Sequence, residues 1–146
     1  MVKDLLVTRS ILLNVTPERV WQALTHPGMT KYYMYGREVS SDWKEGSTIT
    51  WSSSEHGQHV TQKGEILKIV PGTFLKYSFH DPQTGLEDNI ETYMHITYEV
   101  IPRKNYTELL VTVDHFGGDD ARAESAAEML DFEVLPKLKS LLETTL

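Results

Sequence analysis

The carboxy-terminal stretch DDARAESAAEMLDFEVLPKLKSLLETTL, Asp119 to Leu146, decides how the rest of the chain is read. Ala123, Ala126, Ala127, Leu130, Val134, Leu138, Leu141 and Leu142 recur at steps of three and four, so they fall along one side of an α-helix. Asp119 and Asp120 follow the Gly117-Gly118 break and suit an N-cap, while Lys137 and Lys139 lie toward the negative end of the helix dipole. Pro136 removes one helical hydrogen bond and predicts a bend within a single long helix. Such a helix cannot bury its apolar side against itself. The preceding hundred or so residues read mainly as strands, so a sheet is the expected partner.

Working outward, Leu5, Val7, Arg9, Ile11, Leu13 and Val15 occupy every second position and predict a strand with one buried face, the period of two broken only by Arg9. Thr16 can cap a short helix with Pro17 at its first position, Val20, Trp21 and Leu24 on its apolar side and an end near Thr25. His26-Pro27-Gly28 breaks it, and Met29 to Met34 predicts a further helical turn or two. From Val39 the strand pattern returns. Ser47 to Ser53, Val60 to Val70, Phe74 to His80, Glu91 to Ile101 and Tyr106 to Phe116 are the expected strands, with a bulge near Gly64 where the alternation slips. A loop at Pro102 to Asn105 would pair the last two with Tyr98 opposite Leu109, Ile96 opposite Val111 and Met94 opposite Val113, uniting their apolar residues on one face. The expected fold is α+β: a curved antiparallel sheet of about six to seven strands wrapped round a long C-terminal helix, with two short helices after the first strand.

The 146 residues form one domain, 1–146, with no linker, repeat or low-complexity tract. Hydrophobic residues at 40% and charged ones at 24% place it among globular proteins. No apolar run approaches the roughly 20 residues of a membrane span, and the absence of cysteine excludes disulfides and thiolate chemistry. A cytoplasmic location is the expectation. The net charge of -7, without a basic patch, disfavours nucleic acid and anionic membranes as partners.

The order of elements resembles the helix-grip fold of the START and birch-pollen-allergen (SRPBCC) superfamily. Thr16-Pro17-Glu18-Arg19-Val20-Trp21-Gln22-Ala23-Leu24-Thr25-His26-Pro27 is similar to the motif that opens the family named for the activator of the heat-shock protein 90 ATPase. Gly64 to Tyr77 resembles that family's central strand pair, and Thr107 to His115 its penultimate strand, T-x-L-x-x-x-x-x-H. This chain has Tyr32 and Tyr33 where the family usually has a tryptophan, and Leu130, Asp131 or Phe132 where a Gly-Trp pair is common in the final helix. The resemblance is to the carboxy-terminal domain of the co-chaperone alone.

That superfamily binds apolar molecules between sheet and helix. The faces above would line such a space with Trp51, Tyr77, Phe79, Met94, Ile96, Tyr98, Val113 and His115 from the sheet, and Leu130 and Val134 from the helix. The alternative is that these side chains simply fill the core. His115 can bind a polar ligand group or move a proton, or merely satisfy a core hydrogen bond. His56 and His59 have a spacing that can hold a metal but no third ligand, and read as loop residues. Arg9 can meet a carboxylate ligand or a buried acid, or form a surface ion pair. No nucleophile elbow or serine, histidine and acid set is present, and neither a metal nor an organic cofactor is expected. The expected function is binding of a small apolar or aromatic molecule. Two alternatives stand beside it: regulation of a chaperone ATPase in stress response, as the resemblance implies, and cyclase- or aromatase-like catalysis.

Overall fold

In a computed structural model, residues 5–55, 58–81, 89, 93–117 and 119–144 are described. Strand β1 (Val7–Leu13) leads into helices α1 (Pro17–Thr25) and α2 (Pro27–Thr30), then β2 (Glu38–Ser41), β3 (Thr48–Glu55), β4 (Gln58–Val70), β5 (Phe74–Phe79), β6 (Met94–Pro102) and β7 (Thr107–Asp114). A continuous helical run closes the chain: α3 (Asp120–Glu128), a π-helical segment (Met129–Val134) and α4 (Leu135–Thr144). The seven strands form one antiparallel sheet in the order β1-β7-β6-β5-β4-β3-β2, so the first and last strands are neighbours. The helical run packs across its curved inner face, α3 on β1 and β7 and α4 on β1 and α1.

Local chemistry sets the helix ends. Thr16 Oγ1 accepts the Arg19 amide at 3.3 Å with Pro17 in the first turn, and Asp119 Oδ1 accepts the amides of Ala121 at 2.9 Å and Arg122 at 3.3 Å. The buried stripe Ala126, Leu130, Val134, Leu138, Leu142 advances in steps of four. In a regular α-helix each such step overshoots a full turn by about 40°, so the stripe would wind away from the sheet. The π-helical segment turns less per residue and brings it back. There the Leu135 amide reaches Leu130 O, five residues earlier, just ahead of Pro136, which has no N–H to give. The distortion expected at Pro136 is thus one widened turn within a single helix.

The β6–β7 hairpin pairs Ile96 with Val113, Tyr98 with Val111 and Val100 with Leu109, two residues from the expected register. The loop is Arg103 to Tyr106, closed by the Arg103 amide on Tyr106 O at 2.9 Å, and Pro102 still pairs with Thr107. A slip of two keeps every side chain on its face, which is why the expected inner face survives the error. The bulge also moves: the β4–β5 register shifts between Ile66 and Lys68. Gly64 answers a different need, since a Cβ there would stand 1.6 Å from Ser78 O.

Candidate ligand cavity between helix and sheet

Most of the space between helix and sheet is filled. Trp51 packs on Tyr77 with ring centroids 4.8 Å apart and on Phe79 at 5.2 Å, and Tyr77 lies 6.0 Å from Tyr98. The Tyr77 hydroxyl donates to the Tyr98 hydroxyl at 3.4 Å, and Tyr33 donates to Ala23 O at 2.6 Å. Burial pushes the phenols of Tyr33 and Tyr77 well above their ordinary range, and that of Tyr98 also upward, so all three stay neutral. Trp51, Tyr77, Ile96, Tyr98, Val113, Leu130 and Val134 are all buried members of this core and none lines the cavity described next.

The hollow lies at the amino-terminal end of the helical run. Its volume is about 590 Å³, and Phe79 and Met94 from the sheet face Ala121, Ser125, Ala126 and Met129 from the helix. Only Phe79 and Met94 of the ten sequence-predicted lining residues reach it. The reason is side-chain size. The helix presents Ala121, Ser125 and Ala126 here, and leucine and valine along its buried stripe further on, so it has less to fill the gap. The size falls within the range of small-molecule sites.

The polar part of the wall is formed by Tyr35, Arg37, Gln62, His80, Asp81, Asp119 and Arg122. Asp81 accepts the Gln62 amide at 2.7 Å, and His80 stacks on Tyr93 at 4.9 Å. Arg122 donates to Phe116 O at 3.2 Å, and Asp119 caps the helix. Arg37 is set by the chain itself. Tyr35 at φ 56° and Gly36 at φ 78° turn the backbone sharply into β2, the Arg37 amide binds Met34 O at 3.0 Å, and Thr30 Oγ1 donates to Arg37 O at 3.1 Å. The same Thr30 oxygen accepts the Val39 amide at 3.1 Å, which fixes Arg37 and Val39 on the inner face. The Arg37 guanidinium lies 5.5 Å over the Tyr35 ring. The Tyr35 phenol is raised by partial burial and then by the Glu133 carboxylate.

His115 leaves the face it was expected to share with Val113. β7 ends at Asp114, and His115, at φ 66°, is exposed and stacks on His95 at 4.3 Å with its Nδ1 2.6 Å from Tyr93 O. The left-handed turn before Gly117 throws the imidazole to the outer surface, where no cavity ligand meets it. Arg9 makes an exposed ion pair with Asp131, at 2.7 and 3.1 Å, tying β1 to the π-helical segment. Its guanidinium holds the Asp131 carboxyl below the usual range. His56 and the side chain of His59 lie outside the described residues. Among the described residues no cluster of three or more His, Cys, Asp or Glu stands ready for a metal ion, and no helix is long and apolar enough to cross a membrane.

A curved antiparallel sheet gripping one long helix over a partly open hollow makes this a helix-grip protein. The chain belongs to the family described as Activator of Hsp90 ATPase homolog 1-like protein, which matches residues 14–143. A protein of Cytophaga hutchinsonii, known from its solution structure, is 33% identical with a TM-score of 0.81 over 99% of this chain and 97% of that one. The Aha1 dimer from Colwellia psychrerythraea is 20% identical with a TM-score of 0.70, over 95% and 96% of the two chains. A protein of the dynemicin biosynthetic locus is 14% identical with a TM-score of 0.76, over 95% of this chain and 47% of that one. The last two likenesses show a shared fold. Among curated proteins none matches this chain.

Proposed function

We propose that this protein binds a small, largely apolar or aromatic molecule in the hollow beneath α3. The observation that carries this reading is the cavity of about 590 Å³ walled by Phe79, Met94, Ala126 and Met129, where the small side chains Ala121, Ser125 and Ala126 form part of the helix wall. The test uses the neutral fluorescent probe N-phenyl-1-naphthylamine. Saturable binding at one site per chain, with a blue-shifted emission that Ala126→Phe abolishes, is the expected result. Absence of saturable binding, or binding indifferent to Ala126→Phe, overturns it.

A second reading, regulation of a heat-shock protein 90 ATPase in the cytoplasm, is supported by the family and by the likeness to the Colwellia Aha1 protein. It requires that the host's own chaperone hydrolyse ATP at a different rate when this protein is added; an unchanged rate with no complex removes it. The cyclase-like reading called for His115 or a tyrosine to move a proton; His115 stands outside the cavity, which leaves that role to Tyr35 in its wall.

A further inference from the structure

The cavity wall holds one charged group with no structural occupation. Arg37 retains only 7% of its side-chain and backbone exposure, yet its Nε has no hydrogen-bond partner. Among the described residues its guanidinium makes no ion pair and donates no hydrogen bond; its one contact as a cation is the face of Tyr35 at 5.5 Å. A guanidinium offers five N–H donors and stays charged at any physiological pH. Burying it unpaired costs stability, and a ring face offsets only part of that cost.

The neighbouring acids do not serve it. Asp81 takes the Gln62 amide, and Asp119 takes the amides that open α3. The backbone around Arg37 is meanwhile held from three sides, by Met34 O, Thr30 Oγ1 and the positive-φ pair Tyr35-Gly36, so the side chain leaves the chain toward the cavity, where the Tyr35 ring flanks the guanidinium. An unpaired guanidinium at the edge of an apolar hollow suits a planar anion, which accepts two parallel N–H bonds while its apolar body fills the space.

We propose that Arg37 makes the cavity selective for apolar or aromatic carboxylates. This rests on the binding function above and names the chemical class of its ligand. The charged end pairs with the Arg37 guanidinium beside Tyr35, and the ring or chain lies against Phe79, Met94, Ala126 and Met129.

The experiment displaces N-phenyl-1-naphthylamine with three matched competitors at pH 7: 2-naphthoate, 2-naphthamide and 2-naphthalenemethanol. The full chain is expected to bind the carboxylate about tenfold or more tighter than either neutral compound. Arg37→Met should bring 2-naphthoate down to the affinity of the two neutral compounds, each read against the dye affinity redetermined for the variant, and should melt no lower than the parent, because it removes an unpaired buried charge. Arg37→Lys, which keeps the charge but not the planar fork, should retain part of the preference and controls for folding. Equal affinities in the parent, or a preference that survives Arg37→Met, overturns the inference. In either case the dye still bound in the hollow leaves the binding function standing. If the dye itself does not bind, that function fails and this inference with it.

Discussion

The two halves of the space under the final helix are built from one helix and one sheet, yet one is solid and the other hollow. On the α4 side, Leu138 and Leu142 belong to one core with Leu13, Val20, Leu109 and Val111, each with no more than 1% exposure. Beneath α3, Ala126 is the one buried residue of the helix, and the sheet opposite offers Phe79 and Met94 at the edge of a cavity. The π-helical segment Met129–Val134 separates the two regimes and keeps both facing inward. The difference teaches that the hollow does not come from sheet curvature alone. Where the cavity lies the helix offers Ala121, Ser125 and Ala126 in place of leucines, and the opposite wall carries Arg37, Gln62, His80 and Asp81 in place of aliphatic side chains.

The largest effect should follow from breaking the solid half. Leu138→Ala removes a fully buried side chain and should cost about 2–5 kcal/mol in denaturant unfolding. A loss under about 1 kcal/mol would mean that this half is loosely packed and the contrast false.

Next comes Gly64→Ala, on the strand pair that carries Gln62, Phe79 and His80. Its Cβ would collide with Ser78 O, so β4 and β5 must separate; a loss of at least about 2 kcal/mol is expected, with weakened dye binding. Parental stability would show that the close approach is not needed.

Filling the hollow sharpens the comparison from the other side. Ala126→Phe has room to enter, so it should end dye binding while changing unfolding free energy by less than about 1 kcal/mol. Severe destabilisation would mean that the wall at Ala126 is packed and not open.

The smallest effect concerns the outer skin behind Met94. Burial and then the neighbouring His115 lower the pKa of His95 from its ordinary value near 6.5. The unfolded chain therefore takes up this proton more readily than the folded one. His95 costs no stability above about pH 6.5, and the protein loses stability as pH falls below that value toward the lowered native pKa. Replacing it by glutamine should flatten the corresponding slope in a pH series of melting temperatures. An unchanged slope assigns the acid sensitivity elsewhere.

Much of the architecture was legible in the sequence because periodicity reports faces directly. The Asp119 cap, the Thr16-Pro17 helix start, and the inward set Tyr77, Ile96, Tyr98 and Val113 follow from spacing, and even a two-residue error in hairpin register left that set intact. The site was less legible. A face shared by Trp51, Tyr77 and Tyr98 looks the same from the sequence whether the rings line a void or fill it, and here they fill it. Arg37 carried a usable signal, a cation in step with Val39 on an inward face, the same anomaly that singled out Arg9. Only the coordinates separate the two. Arg9 reaches out to Asp131, whereas Arg37 stays inside.

The sequence by itself determined which residues become helix and strand, which side of each is buried, and that a long helix must lie on a sheet, because those follow from local geometry and the cost of exposing apolar surface. Tertiary structure alone decided where packing stops short. That depends on how side chains remote in sequence come together: Ala126 and Phe79 in one cavity wall, Arg37 beside Tyr35 with no ion pair to Asp81 or Asp119, and His115 turned outward by a positive φ.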